Sequence, residues 1–140
     1  MAGNSGTPLS TRLGIKVGHT VLVRSGPPGF ENDLDPLPES VVFRRRAGRT
    51  RTADVAIVFC LRSADLRRGF DRAKADIKFD GGLWVAWPKK SSGMVTGITE
   101  NQIREYGLAH GLVDNKICAI DETWSGLRFV YRMKNRPQTR

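Results

Sequence analysis

The chain has 140 residues, 39% hydrophobic and 26% charged, the balance of a single soluble domain that buries its own core rather than of a disordered or disulfide-stapled chain. Lysine and arginine number 23 against 14 aspartates and glutamates, a net charge of +9 that suits phosphate-bearing partners and suits an arginine-biased surface equally well. No segment reaches the roughly 18 apolar residues of a membrane span, and the opening MAGNSGTPLS has no basic, then apolar, leader, so a cytoplasmic location with no membrane partner is expected.

Residues 1–12 are small, polar and turn-prone and read as a disordered tail. LGIKVG (13–18) leads into TVLVR, Thr20–Arg24, a short strand. SGPPGF (25–30) is a loop, with a short helix beginning near Phe30. VVF (41–43) is a second strand that runs straight into Arg44, Arg45 and Arg46. AGRTRT (47–52) is a basic connector with no hydrophobic period. VAIVFCL (55–61) is an unbroken apolar run, read as a strand buried on both faces with Asp54 at its entry. Ser63 offers an N-cap. Leu66, Phe70, Ala73 and Ile77 then recur at helical spacing, one face of a helix laid on the sheet. Gly69 weakens the centre of that helix by about 1 kcal/mol relative to alanine, and Gly81 and Gly82 are expected to stop it.

GGLWVAWPKKSS (81–92) is the stretch around which the rest is arranged. Its apolar run is of strand length, without a polar break, and Pro88 closes it, as expected of a parallel strand with helices on either side. In an open parallel sheet ligands bind beyond the carboxyl ends of the strands, and Lys89, Lys90, Ser91 and Ser92 fall there. Thr99 and Gln102 form a T-x-x-Q capping box flanked by Ile98 and Ile103 as a hydrophobic staple, opening a helix that runs to about His110 and stops at Gly111. KICAI (116–120) is a further strand, and DETWSG (121–126) turns the chain. Leu127, Phe129 and Tyr131 then alternate with Arg128 and Arg132 in a final strand, making an antiparallel hairpin at one edge. Residues 133–140 read as a basic tail. Cys60 and Cys118 lie inside apolar runs and read as reduced core residues.

This order of elements resembles the second half of class I methyltransferase-like Rossmann folds over about residues 13–132, and the strings LWVAWPKKSSG and KICAIDETWSGLRFV are similar to a bacterial domain-of-unknown-function family, family 3052. The resemblance implies one α/β domain over 13–132 between the tails 1–12 and 133–140. Its fold would be a three-layer, Rossmann-like, truncated methyltransferase-like one, with a mostly parallel sheet and a C-terminal antiparallel hairpin. An S-adenosylmethionine site in such a fold needs a Gly-rich turn after the first strand, so that the ligand reaches backbone N–H groups, and an acidic residue ending the second strand to accept from the ribose hydroxyls. Here the turn carries Pro27 and Pro28, which have no N–H, and the second strand ends in arginines, which cannot accept a hydrogen bond. No cofactor is therefore expected. His19 and His110 are isolated, and no nucleophile elbow, phosphate loop or zinc spacing is present. Cys60 is either a core thiol or a strand-end thiol near Arg62.

With the strands parallel, Ser25, Arg62, Lys89, Lys90, Ser91, Ser92, Asp121, Glu122, Thr123, Trp124 and Ser125 converge on one edge of the sheet. Lysines and hydroxyls suit a phosphate or carboxylate, Trp124 offers a stacking face, and Asp121 with Glu122 suits an acid–base couple. The same charges also suit surface ion pairs, with Trp124 closing the core. Arg44, Arg45, Arg46, Arg49 and Arg51 form a second candidate, for nucleic-acid phosphates. The expectation is a binding or regulatory module with an anion-binding strand-end edge and a phosphate-bearing small molecule or nucleic acid as partner, with no catalytic or metal-ligating residue assigned. The alternatives are an enzyme acting on a small phosphorylated or nucleotide substrate, and a nucleic-acid-binding protein.

Overall fold

A computed structural model describes residues 7–46, 48, 50–94 and 96–132. The elements in chain order are α1 (Leu9–Arg12), β1 (Thr20–Arg24), α2 (Phe30–Asp33), β2 (Val42–Arg44), β3 (Ala53–Phe59), α3 (Ser63–Asp76), β4 (Ile77–Pro88), a 3₁₀ turn (Lys90–Ser92), α4 (Glu100–Ala109), β5 (Leu112–Ala119) and β6 (Trp124–Tyr131). The six strands form one sheet in the order β2-β1-β3-β4-β6-β5. β2, β1, β3 and β4 are parallel, and β6 runs antiparallel to both β4 and β5. The mixed α/β fold, with a mostly parallel sheet and antiparallel C-terminal strands, is the one expected from the sequence.

The apolar runs set this arrangement. Val21, Leu22 and Val23 of β1 and Val55 to Phe59 of β3 are buried on both faces, so each strand has to be covered twice. On one face Leu22, Ala56, Val58, Val85 and Phe129 pack under Leu66, Phe70 and Ala73 of α3 and Ile103 of α4. On the other, Val21, Val23, Ile57, Trp84 and Ala86 pack under Leu9, Leu13, Ile15, Phe30 and Leu34. That third layer is built from the two helical turns α1 and α2 and the loops around them. Residues 9–12, expected to belong to a disordered tail, are helical, with Leu9 and Ser10 buried. The Trp84 indole N–H donates to the Leu13 carbonyl at 3.0 Å, and Arg12 Nη1 donates to the Ala119 carbonyl at 2.6 Å. Apolar Leu9 and Leu13, and a donor met by a buried carbonyl, outweigh the polar composition there.

Three local readings are corrected. The N-cap of α3 is Arg62 rather than Ser63, and the Asp65 carboxylate reaches back to accept from the Leu61 and Arg62 N–H groups at 3.0 and 3.1 Å. α3 ends at Asp76, and Ile77, which shares the spacing of the helix face, is instead the first residue of β4. Gly81 and Gly82 therefore do not stop the helix but lie inside β4, where Ala53 faces Ile77 and Val55 already faces Gly82. The intervening residues bulge out, and Lys78 Nζ pairs with Asp54 Oδ1 at 2.9 Å. A Cβ at Gly81 would stand 2.7 Å from the Asp54 carbonyl oxygen, so the bulge admits only glycine without a shift.

Between β2 and β3 the chain crosses β1 with no helix among the described residues, as the short spacing between Phe43 and Asp54 implies. Polar contacts take its place. The buried Asp76 carboxylate accepts from Arg44 Nη2 at 3.0 Å and from Thr52 Oγ1 at 3.1 Å. Arg51 lies 4.0 Å over the Phe79 ring and donates to the Lys74 and Ile77 carbonyls and the Tyr131 hydroxyl. The tail 133–140 lies outside the described residues.

Candidate functional site

Pro88 ends β4 opposite Trp124, and Trp87 faces Ser125. The Lys89 N–H then donates to the Thr123 carbonyl at 2.8 Å, so the two lysines and the DETWSG turn share the carboxyl edge of the sheet, as expected. β6 is inserted between β4 and β5, and β5 is parallel to β4, the outcome of a crossover through α4.

The start of α4 hangs over the same edge. Its capping box forms as read: Thr99 Oγ1 accepts from the Gln102 N–H at 3.2 Å, and Gln102 Oε1 accepts from the Thr99 N–H at 2.9 Å. Ile98 and Ile103 are buried beneath it. The loop before it is anchored on the exit of β3, where the Leu61 carbonyl accepts from the Gly97 N–H at 3.2 Å and from the Thr96 hydroxyl.

Between β4 and α4 opens a cleft of about 910 Å³, lined by Trp87, Pro88, Lys89, Lys90, Met94, Thr96, Ile98, Thr99, Glu100, Asn101 and Ser125. Glu100, its one carboxylate, is held by Arg104 at 2.6 Å. Among the described residues no carboxylate pairs with Lys89 or Lys90. The first-turn N–H groups of α4 add partial positive charge on the other wall. Trp87 is 7% exposed, and its indole nitrogen is not among the buried atoms that lack a partner, so its N–H keeps access to water.

Of the expected edge residues, Lys89, Lys90 and Ser125 line the cleft. Ser92 shapes the turn instead, donating to the Lys89 carbonyl at 2.6 Å and accepting from the Met94 N–H at 3.2 Å. Ser91 is exposed on that turn, Ser25 on the loop after β1 and Arg62 at the backbone N-cap of α3, and none of the three lines the cleft. Asp121 Oδ1 accepts from the Thr123 and Trp124 N–H groups, both at 2.8 Å, so its carboxylate closes the turn while Glu122 stays exposed. The two do not form an acid–base couple. Trp124 is half-buried against Phe59, ring centroids 4.9 Å apart and edge-on.

Sequence reasoning missed Trp87, Met94, Thr96, Ile98, Thr99, Glu100 and Asn101 as cleft residues. The capping box was the available signal, because a helix starting about ten residues after a buried strand brings its N-terminus back over that strand's end.

The arginines divide. Arg44 and Arg51 are turned inward onto Asp76 and Phe79, Arg45 pairs with Glu31 at 2.8 Å, and Arg46 is exposed. Arg49 lies outside the described residues. Cys60 is fully buried, which pushes its thiol up to about 12, with Asp65 adding to the effect. Cys118 is half-buried and also raised by burial, and both thiols are free. His19 Nδ1 accepts from the Lys16 N–H and the His110 ring stacks on Tyr106 at 4.0 Å, so both are local structural residues. Among the described residues no group of three or more His, Cys, Asp and Glu is placed to hold a metal ion, and no helix is long and apolar enough to cross a membrane.

The fold's other ligand position lies at the switch point between β1 and β3, where the chain turns first to one side of β1 and then to the other. Here Phe30, Phe59 and Trp124 stand in an edge-to-face row with centroids 4.9 Å apart at each step. A Cβ on Gly26 would meet Val23 at 2.9 Å and Phe59 at 3.4 Å, so the turn is packed onto the strands rather than opened as a cradle. Pro27 and Pro28 give it no N–H, and Arg44 stands at the end of β2 with its guanidinium committed to Asp76. These residues do not fit S-adenosylmethionine.

No family model matches the sequence, and no curated protein does. Solved structures do match in fold. A putative type 11 methyltransferase from Sulfolobus solfataricus superposes with a TM-score of 0.57 at 12% identity, over 86% of this chain and 88% of that one. The 1,6-didemethyltoxoflavin-N1-methyltransferase of Burkholderia thailandensis, solved with S-adenosylhomocysteine, gives 0.56 at 15% identity over 88% and 74%. A TehB-like SAM-dependent methyltransferase from Corynebacterium glutamicum gives 0.52 at 10% identity over 83% and 82%. At these identities the likeness establishes the fold, and the chain has the methyltransferase-like Rossmann fold.

Proposed function

We propose that this protein is a binding or regulatory module that uses the carboxyl edge of a methyltransferase-like fold to hold a small anion in the cleft between β4 and α4. The observation that carries the reading is the pair Lys89 and Lys90, without carboxylate partners among the described residues, on one wall of a cleft whose other wall is the N-terminal turn of α4. Two ammonium groups and a helix N-terminus are donors and positive ends only, the combination that favours a phosphate or carboxylate. The enzyme reading loses its acid–base pair, since Asp121 is engaged in the turn. The nucleic-acid reading loses Arg44 and Arg51 to internal partners.

Titration with inorganic pyrophosphate, followed by amide chemical shifts, tests the proposal. Saturable shifts are expected at residues 89–101 and Ser125, and Lys89→Ala with Lys90→Ala should weaken the binding about tenfold or more. No saturable shift in that region up to about 10 mM ligand would exclude an anion site of useful strength.

A further inference from the structure

Half of the cleft is not made for a bare anion. Its volume of about 910 Å³ falls in the range of roughly 300–1,000 Å³ typical of pockets for organic ligands and far exceeds an inorganic phosphate. Pro88, Met94, Ile98 and the Trp87 ring supply an apolar wall beside the lysines. Met94 is 41% exposed, a flexible thioether that adapts to flat surfaces.

Trp87 adds a separate observation. Buried indoles normally donate their N–H, as Trp84 does to the Leu13 carbonyl at 3.0 Å. Trp87 is 7% exposed, lines the cleft and donates to no acceptor among the described residues, and its nitrogen is not one of the buried unpaired atoms, so the N–H is left to water. A donor that the protein leaves to water, in a cleft that two lysines also line, is open to an acceptor oxygen on the ligand.

Resting on the anion-binding reading, we propose that the cleft takes a small aromatic anion: a phosphate or carboxylate on Lys89, Lys90 and the Trp87 N–H, carried on a flat apolar body that lies against Pro88, Met94 and Ile98. Calorimetry on the full chain with inorganic phosphate, phenyl phosphate, benzoate and phenol tests it. Phenyl phosphate or benzoate should bind about tenfold tighter than inorganic phosphate, from the apolar area covered, and the better of the two identifies the headgroup. Trp87→Phe, which keeps the ring and removes the N–H, should weaken the aryl anion about tenfold. Met94→Ser, at an exposed position that leaves the core intact, should weaken the aryl anion and leave inorganic phosphate unchanged. Equal affinity for inorganic phosphate and both aryl anions overturns the inference while the anion site stands. Phenol binding as tightly as phenyl phosphate also overturns it. No binding of any anion removes the anion site and this inference together.

Discussion

Gly107 sits in α4 directly above Phe129 of β6. Replacing it with alanine should raise intrinsic helix propensity by about 1 kcal/mol, so a reading limited to the helix expects a more stable protein. The structure reverses the sign. A Cβ at Gly107 would stand 2.1 Å from Phe129 Cε1 and 2.6 Å from Cδ1, about an ångström or more inside the roughly 3.5 Å of a normal carbon contact. The ring cannot retreat: Phe129 is fully buried in a central strand and packs edge-on against Phe70, centroids 5.5 Å apart. Overpacking of this kind costs about 1–3 kcal/mol, toward the upper end where neighbours are fixed, so after the helix gain Gly107→Ala should lose roughly 1–2 kcal/mol net, with a fall in Tm of about 4 °C per kcal/mol. Urea denaturation should show a lower midpoint at unchanged m-value. In a Phe129→Leu background the penalty should shrink or invert, because the clashing atoms are gone. A Gly107→Ala midpoint equal to or above that of the parent would refute the close-approach argument. The same logic applies to Gly69, read from sequence as a weak point of α3: its Cβ would stand 2.5 Å from Val58 Cγ1, so that glycine lets the helix seat on the sheet.

Arg44→Gln should destabilise the fold by about 2–4 kcal/mol by leaving the Asp76 carboxylate buried with less of its compensation. If it left the urea midpoint unchanged while weakening DNA retention, Arg44 would be a surface phosphate contact after all. Burial alone would raise the Asp54 carboxyl, but Lys78 and the Thr20 N–H hold it below its usual value of 3.8. Its contribution is therefore present above pH 3.8 and lost as pH falls through the lowered value. Asp54→Asn should accordingly flatten the acid limb of stability against pH, and an unaltered acid limb counts against the pairing. The Cys60 thiol, raised from 9.0 to about 12, stays protonated in the folded state while the unfolded thiol ionises, so stability falls as pH rises from about 9 toward 12. Native protein should leave Cys60 unalkylated by iodoacetamide near neutral pH, and rapid labelling of that residue without unfolding would contradict its burial.

Features that depend on adjacent residues were legible before the structure. The capping box at Thr99 and Gln102 states its own partners, Pro88 marks where β4 must stop, and the uninterrupted runs at Val55 and Leu83 demand cover on both faces. Ile77 was misplaced because helical spacing assigns the same face to the last residue of a helix and to the first inward residue of the strand that follows. Asp76 was invisible as an anchor because its partner Arg44 is 32 residues away in the chain, and only the helix-free crossing brings them together. Half of the cleft was missed for a related reason: Met94, Thr96 and Asn101 share no period and acquire meaning only when the start of α4 is laid over the end of β4.

The placement of β6 between β4 and β5 bears on how the domain comes into being. Apart from the loop that joins them to their neighbours, β4 and β5 have no mutual hydrogen bonds in the sheet; each meets the other only through β6. During synthesis from the N-terminus, five strands and both long helices emerge before the strand that unites them. Until Trp124–Tyr131 is available, β4 presents an open edge along its buried run, and α4 has no Phe129 beneath Gly107. The nascent chain is thus a four-stranded parallel sheet with an unattached fifth strand, exposed to edge-to-edge association, and a ribosome stalled just before residue 124 should hold a chain far more sensitive to protease than its length alone implies.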